Sequence, residues 1–176
     1  MIKLEPRELQ WVKGFGDDPT DQCAHGRVLF EVDGTTFVRP EDGIWTLSAA
    51  GLYLLRSLRE GHSSSNPVAE GNLLFPCCGF FVVNIGTRFP VFCFGCPNGV
   101  DVEIGHSEGA VNISSAAGAV SVPSEAWRRA VTSFTAIVYD FYRVSTPKEP
   151  ISDQQEREGW AAFWQEWATR SEEAGN

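Results

Sequence analysis

The sequence predicts a single α+β domain over residues 1–176, with a mostly antiparallel sheet of five to seven strands covered by three main helices, the last two C-terminal. Three observations lead to this fold class. A length of 176 residues with 43% hydrophobic content is sufficient for one hydrophobic core. Residues 73–123 carry few charges and break into short β-prone runs. Residues 124–174 repeat apolar side chains at helical spacing.

Residues 1–61 are predicted to form a helix, a β-hairpin and a second helix. A short amphipathic helix is expected over residues 5–13, because Pro6 fits the first turn and Leu9 with Trp11 or Val12 would face inward. The dipeptide Asp33-Gly34 separates two β-rich runs and predicts a hairpin over residues 27–39, since both residues tolerate a positive φ. A leucine-rich helix follows and is expected to stop at Gly61.

The middle section, residues 73–123, is predicted to be a strand-rich meander. Its β-prone runs are separated by Gly, Pro and Asn, as is typical of short antiparallel strands. The most apolar run, FFVVNI at residues 80–85, lacks the alternation of a half-buried strand. We therefore expect it in the middle of the sheet, covered on both faces.

Two helices are predicted at the C-terminal end. The first begins after Pro123 and the second covers residues 152–172, where Ser152 and Gln155 resemble a capping box. Four large aromatic side chains share one face of the last helix and are expected to pack into the core. They are Trp160, Phe163, Trp164 and Trp167.

The charge balance favours one class of partner. Fourteen basic residues against 23 acidic ones give a formal net charge of −9, which disfavours broad contact with nucleic acid or anionic membranes. A basic protein partner is favoured instead, through the acidic face of the last helix. The candidate contact residues are Asp153, Glu156, Glu158, Glu166 and Glu172.

The sequence predicts a cytoplasmic protein. The N-terminal residues mix charged and apolar side chains and lack the continuous apolar stretch of a signal peptide. The longest apolar stretch, residues 73–86, is shorter than the roughly 20 residues of a membrane helix. Five cysteines, an odd number, in a chain large enough to fold without disulfides indicate reduced thiols.

A cysteine-rich segment is the most specific chemical motif in the chain. Its two pairs of cysteines and a later histidine are ligands that zinc prefers, at a spacing that a zinc site allows. Adjacent cysteines can bind one ion only if a turn directs both side chains to the same side. The candidate ligands are Cys77, Cys78, Cys93, Cys96 and His106. Thiols packed in the core are the alternative, because cysteine is among the most frequently buried residues.

Catalytic motifs are missing from the sequence. The histidines at positions 25, 62 and 106 lie in separate segments, and the chain has no nucleophile elbow, HExxH motif, phosphate-binding loop or dinucleotide fingerprint. The sequence therefore predicts a protein without catalytic activity.

The second half of the chain, about residues 95–170, resembles the immunity proteins of bacterial polymorphic toxin systems. The resemblance depends on three stretches: CPNGVDVEIGH, FYRVSTPKEP and EREGWAAFWQEW. It implies a monomeric or homodimeric α+β protein that covers the active site of a toxin and has no turnover of its own.

Together these observations predict a non-catalytic cytoplasmic binding module, most concretely an immunity-type inhibitor of a basic toxin domain. Two alternatives stay open. One is a small zinc-binding protein built on the cysteines. The other is a small-molecule-binding domain that uses the aromatic-rich sheet as the floor of a pocket.

Overall fold

The described part of the chain contains eleven strands, three α-helices and one short 3-10 helix, Pro40–Asp42. A computed structural model describes residues 1–11, 16–69, 73–78, 81–86 and 88–175. The elements in chain order are β1 (Ile2–Trp11), β2 (Ala24–Val32), β3 (Thr35–Val38), β4 (Trp45–Thr46), α1 (Leu47–Arg56), β5 (Phe75–Pro76), β6 (Phe81–Asn84), β7 (Val91–Phe94), β8 (Gly99–Val100), β9 (Glu103–Ser107), β10 (Ala110–Ser115), β11 (Gly118–Pro123), α2 (Ser124–Val144) and α3 (Gln154–Gly175). The predicted α+β class, with two C-terminal helices, is confirmed.

The strands are antiparallel and are distributed over four small sheets instead of one sheet of five to seven strands. The largest sheet has the order β1-β2-β3, with β4 also paired to β2. A second sheet has the order β11-β10-β9, and two-stranded sheets are formed by β5 with β8 and by β6 with β7. The middle section of the chain therefore builds three separate sheets.

The helix expected over residues 5–13 is wrong, because this segment belongs to strand β1. Paired with β2, β1 runs from Ile2 opposite Val32 to Trp11 opposite Ala24. The register shifts between Arg7 and Gln10, where Glu8 has a φ of 49°, which marks a bulge. The bulge changes the phase of the inward-facing residues, so that the strand imitates helical spacing. Residues 12 and 13 lie outside the described part of the chain.

The predicted hairpin and leucine-rich helix are both present. Asp33 and Gly34 have φ values of 46° and 88°, so both residues of the β2–β3 turn adopt the positive φ that this dipeptide favours. Helix α1 ends at Arg56 rather than at Gly61. All ten of its residues are buried, because it contacts β2 and β5 as well as α2 and α3. It is the central element of the core.

A tryptophan ring of the last helix packs directly against the backbone of α1 at Gly51. A Cβ atom at Gly51 would lie 2.3 Å from the Trp167 ring, so only glycine leaves room for this indole. Trp160, Phe163 and Trp167 are buried, as predicted, and Trp164 is half-buried. No described helix combines the length and the apolar character that crossing a bilayer requires.

The N-terminus of α3 is stabilised by a different residue from those predicted. The Asp153 carboxylate accepts a hydrogen bond of 2.8 Å from the Glu156 backbone N–H, which is the geometry of an N-cap. The predicted capping box of Ser152 and Gln155 is therefore wrong. Aspartate at this position also interacts favourably with the positive end of the helix dipole.

The run FFVVNI does not lie in the middle of a larger sheet, and only its central residues are covered on both faces. Val82 and Val83 of β6 are buried, whereas 39% of Phe81 is exposed and Asn84 is exposed as well. Helix α3 covers one side of β6 so closely that a Cβ atom at Gly159 would lie 1.9 Å from the Val82 carbonyl oxygen. Among the described strands β6 pairs only with β7, so it belongs to a two-stranded sheet and does not lie in the middle of a larger one.

A candidate metal site formed by three cysteines

Three cysteines from two separate segments meet at one corner of the molecule, which we call the cysteine corner. Cys77 and Cys78 directly follow β5, and Cys96 lies between β7 and β8. Their sulfur atoms all lie within 4.8 Å of one another, and each side chain is partly exposed. Thiolates on one zinc ion lie about 3.8 Å apart, given Zn–S bonds of about 2.3 Å, so small side-chain rotations suffice to close the site.

Backbone pairing between β5 and β8 holds the two segments together. Pro76 pairs with Gly99, and the Cys77 backbone N–H donates a hydrogen bond of 2.9 Å to the Asn98 carbonyl oxygen. A Cβ atom at Gly99 would lie 2.5 Å from the Phe75 carbonyl oxygen, so the strands approach this closely only with glycine at that position. The backbone pairing of β5 with β8 therefore holds the segment that contains Cys96 close to Cys77 and Cys78.

The local bend also explains how adjacent cysteines reach one point. In an extended strand, neighbouring side chains project to opposite faces of the sheet. Strand β5 ends at Pro76, and Cys77 lies in a bend beyond it. A metal site that uses both Cys77 and Cys78 requires a turn that brings the two thiols to the same side. The bend after β5 meets that requirement.

The three thiols differ in acidity. Hydrogen bonds from the Cys78 thiol and from the Asn98 backbone N–H lower the pKa of Cys96. Partial burial, helped by the neighbouring Cys96 sulfur, raises the pKa of Cys77 to about 11. Burial also raises the pKa of Cys78, although the Cys96 backbone N–H donates to its sulfur and opposes that increase. The corner thus holds one thiol of lowered pKa and two thiols of raised pKa, and a metal ion that binds all three would displace their protons.

The structure removes Cys93 and His106 from the predicted ligand set. Cys93 lies on the inward face of β7 with only 2% of its surface exposed. The Nε2 atom of His106 lies 2.9 Å from the Ser57 carbonyl oxygen, away from the thiols. Because residues in a strand alternate between its faces, Cys93 is directed into the core, and the chain leaves β7 before reaching Cys96.

Two cysteines form part of the hydrophobic core, which agrees with the alternative prediction that thiols pack in the interior. Cys23 and Cys93 are each 2% exposed and belong to the same core cluster. Burial raises the pKa of Cys23 well above its ordinary value, with a further contribution from the nearby Asp21 carboxylate. A thiol in such surroundings stays protonated and unreactive.

The three histidines are all held by hydrogen bonds. His62 is 1% exposed, with Nε2 2.8 Å from the Asp101 carboxylate and Nδ1 accepting a bond from the Val68 backbone N–H. His25 contacts the Cys23 carbonyl oxygen and the Thr46 hydroxyl, and burial lowers its pKa. Each ring connects neighbouring segments of the fold.

The acidic residues predicted to form one binding face have different environments. Asp153 caps α3, and burial raises the pKa of the partly buried Glu156. Glu158 and Glu172 are exposed, and Glu158 accepts a hydrogen bond of 2.8 Å from its helix neighbour Gln154. Glu166 is buried, so its assignment to an exposed binding face is wrong.

Glu166 belongs instead to a buried ion pair that sequence reasoning missed. It accepts two hydrogen bonds of 2.8 Å from Arg56, whose guanidinium also donates to the Val68 and Val91 carbonyl oxygens. Arg170 adds a third hydrogen bond to Glu166 of 2.7 Å. A signal existed in the sequence, because one arginine ends an otherwise apolar helix and has to find a partner when it is buried.

A groove of about 500 Å³ lies between α2 and α3. Its walls include Tyr139, which is 50% exposed, the half-buried Trp164 and the exposed Glu172. The Tyr139 and Trp164 rings meet edge to face at 6.0 Å. The groove is formed by helices, so it differs from the sheet-floored pocket that the sequence left open.

Comparison of the chain with family models, with curated proteins and with solved structures finds no match.

Proposed function

We propose that the protein binds a thiophilic metal ion, most concretely Zn²⁺, through Cys77, Cys78 and Cys96. The observation that carries this proposal is the meeting of three sulfur atoms within 4.8 Å from segments 18 residues apart in sequence. Thiolates are the ligands that zinc prefers at structural sites. A fourth ligand, such as water, would complete the tetrahedron.

The hydrogen bonds around the sulfurs support the same function. Backbone N–H groups of Asn98 and Cys96 donate to two of the three sulfurs. Such outer hydrogen bonds orient ligating side chains and stabilise their charged form, which a bound cation requires. A bound ion would join the end of β5 to the start of β8 and so stabilise this corner of the fold.

Metal content is the direct test. Protein purified without chelator should contain about one zinc ion per chain by elemental analysis, since the corner forms one site. The Cys96→Ser variant should lose it, while Cys93→Ser, the matched control from the core, should keep it. Occupancy below a few per cent, together with no uptake when Zn²⁺ is added to reduced protein, would contradict the proposal.

Chelation should also lower thermal stability. A ligand present at about 100 times its Kd stabilises the folded state by about 2.7 kcal/mol, which is about 5 to 11 °C in Tm for a chain of this length. We expect EDTA to lower the Tm of the wild type by that amount and to leave the Tm of the Cys96→Ser variant unchanged. An identical Tm with and without EDTA in the wild type would argue against a bound ion.

A second candidate function is the binding of a basic protein partner, as in the immunity proteins that the C-terminal half resembles. The groove between α2 and α3 favours this function, because the exposed Tyr139 ring, the half-buried Trp164 ring and the acidic Glu172 all line it. Aromatic faces and carboxylates both attract lysine and arginine side chains. The net charge of −9 would accelerate the approach of such a partner. We place this activity in the cytoplasm.

The partner hypothesis has its own measurement. The product of the adjacent gene, expressed as a purified domain, should bind with an association rate that falls as salt concentration rises. Glu172→Gln and Tyr139→Ala should each weaken binding, whereas Glu158→Gln, an exposed carboxylate outside the groove, should not. Association that is independent of salt would exclude electrostatic steering of this partner.

A further inference from the structure

We infer that the cysteine corner is also an oxidative modification site, at which hydrogen peroxide joins Cys78 to Cys96 in a reversible disulfide. The inference rests on the proposed function in one respect only, namely that the disulfide would release the bound metal ion. The chemistry of the thiols themselves requires no metal.

Accessibility separates these thiols from the others. Cys77, Cys78 and Cys96 are partly exposed, whereas Cys23 and Cys93 are each 2% exposed. None of the five cysteines, all in the described part of the chain, forms a disulfide. A peroxide molecule can therefore reach the corner without opening of the fold, while the two core thiols are shielded.

Proximity supplies the second requirement. An oxidised cysteine forms a disulfide only if a second thiol can attack it, and here the sulfurs lie within 4.8 Å. We assign Cys78 as the partner because the Cys96 backbone N–H donates to the Cys78 sulfur and holds it beside the Cys96 side chain. The Cys77 backbone is instead tied to Asn98 by the pairing of β5 with β8.

The reaction balances in two steps. The Cys96 sulfur attacks one oxygen of hydrogen peroxide, the O–O bond breaks, and sulfenic acid and one water form. The Cys78 sulfur then attacks the sulfenic sulfur, the S–O bond breaks, and the second water leaves with the thiol proton. Two thiols lose two electrons in total to one peroxide, and a dithiol reductant reverses the change by thiol–disulfide exchange.

Oxidation would remove two of the three metal ligands at once. A disulfide sulfur is a poor ligand compared with a thiolate, so Cys77 alone could not hold a zinc ion. The same three side chains would therefore alternate between a metal-bound reduced form and a metal-free oxidised form. Peroxide would set the balance between these forms in the folded protein.

Intact-mass spectrometry on the reduced, metal-free full-length protein tests the disulfide. Equimolar peroxide should lower the mass by about 2 Da, the loss of two hydrogens in one disulfide. Peptide mapping should locate the bond between Cys78 and Cys96, and dithiothreitol should restore the original mass. Cys78→Ser should no longer give that bond, whereas Cys93→Ser should give it in full yield.

A parallel measurement on zinc-loaded protein follows metal release with a chromophoric chelator. Peroxide should release the ion in step with disulfide formation. If the disulfide forms in protein that does not bind zinc, the proposed metal-binding function is refuted, but the inferred oxidation site is still supported. Three results in protein that does bind zinc would overturn the inference. They are a stable gain of oxygen at Cys96 without a disulfide, no reaction with peroxide, and a disulfide that involves Cys77, Cys23 or Cys93.

Discussion

The cysteine corner and the interior around α1 use similar side chains in opposite ways. At the corner, Cys77, Cys78 and Cys96 are partly exposed, and backbone N–H groups donate to their sulfurs. In the interior, Cys23 and Cys93 are 2% exposed among apolar neighbours. The chemistry of a cysteine in this protein is thus decided by its access to solvent and by the groups that donate to it, not by its spacing from other cysteines.

The interior contains charges as well as thiols, and there too burial determines the role. Arg56 is 1% exposed and Glu166 is 7% exposed, and they satisfy each other through two hydrogen bonds. The Arg56 guanidinium also lies 4.2 Å from the centroid of the Phe89 ring. A buried pair of this kind connects α1 to α3 and leaves no charge for an outside partner. We therefore expect the interior to contribute mainly to stability, while the corner is the proposed metal-binding site.

The largest effect should come from breaking the interior pair. Glu166→Gln leaves the Arg56 charge buried without a counter-ion, which should reduce the free energy of unfolding by about 3–5 kcal/mol. Urea denaturation followed by tryptophan fluorescence measures it. The exposed control Glu172→Gln should stay within about 0.5 kcal/mol of wild type. Equal losses in the two variants would break the distinction between buried and exposed carboxylates.

The interior pair should also make stability depend on acidity. Burial raises the pKa of Glu166, but hydrogen bonds from Arg56 and Arg170 outweigh it and lower the pKa below its ordinary value of 4.5. A lowered pKa stabilises the folded state above pH 4.5, and this stabilisation is lost as pH falls through the folded-state pKa. Glu166→Gln should lose less stability than wild type over the same acid range.

Local patterns predicted most of the fold. The Asp33-Gly34 turn, helix α1 and the helix after Pro123 were all expected from turn chemistry and apolar spacing, and all are present. Strand β1 was missed because the bulge at Glu8 shifts the phase of its inward-facing residues. The division of the strands into four sheets depends on pairing between distant segments, which apolar spacing does not specify.

The candidate site could be predicted only in part for a related reason. The sequence identified the cysteine-rich segment, but only the bend after β5 and the pairing of β5 with β8 select Cys77, Cys78 and Cys96 from its members. The inward direction of Cys93 depends on the register of β7 with β6. The burial of Glu166 similarly depends on Arg56, which lies 110 residues earlier in the chain.

A smaller effect should distinguish the two groups of thiols by stability. Cys93→Ser puts a hydroxyl into apolar surroundings and should cost about 1–3 kcal/mol. Cys78→Ser, measured in metal-free protein, should change stability by less than about 0.5 kcal/mol because its side chain is partly exposed. Urea denaturation in EDTA gives both values. A larger loss for Cys78→Ser than for Cys93→Ser would show that the corner is part of the core.

The smallest effect concerns reaction rates rather than stability. In metal-free protein, alkylation by iodoacetamide follows the thiolate fraction, so the lowered pKa of Cys96 should make it react first near neutral pH. The Cys77 rate should keep rising up to about pH 11, its raised pKa. Cys23, whose pKa burial raises well above the ordinary value, should react only after unfolding. Peptide mass spectrometry across a pH series measures each rate.

A matched variant tests why Cys96 should be alkylated before the other cysteines. Cys78→Ala removes the side-chain hydrogen bond that contributes most to the lowered pKa of Cys96. Its alkylation profile should therefore move to higher pH, toward the ordinary thiol value of 9.0, while the Asn98 backbone N–H retains part of the shift. If the Cys96 profile in the variant coincides with that of wild type, the Cys78 thiol does not donate to it. The three sulfurs would then react as separate thiols and not as one cluster.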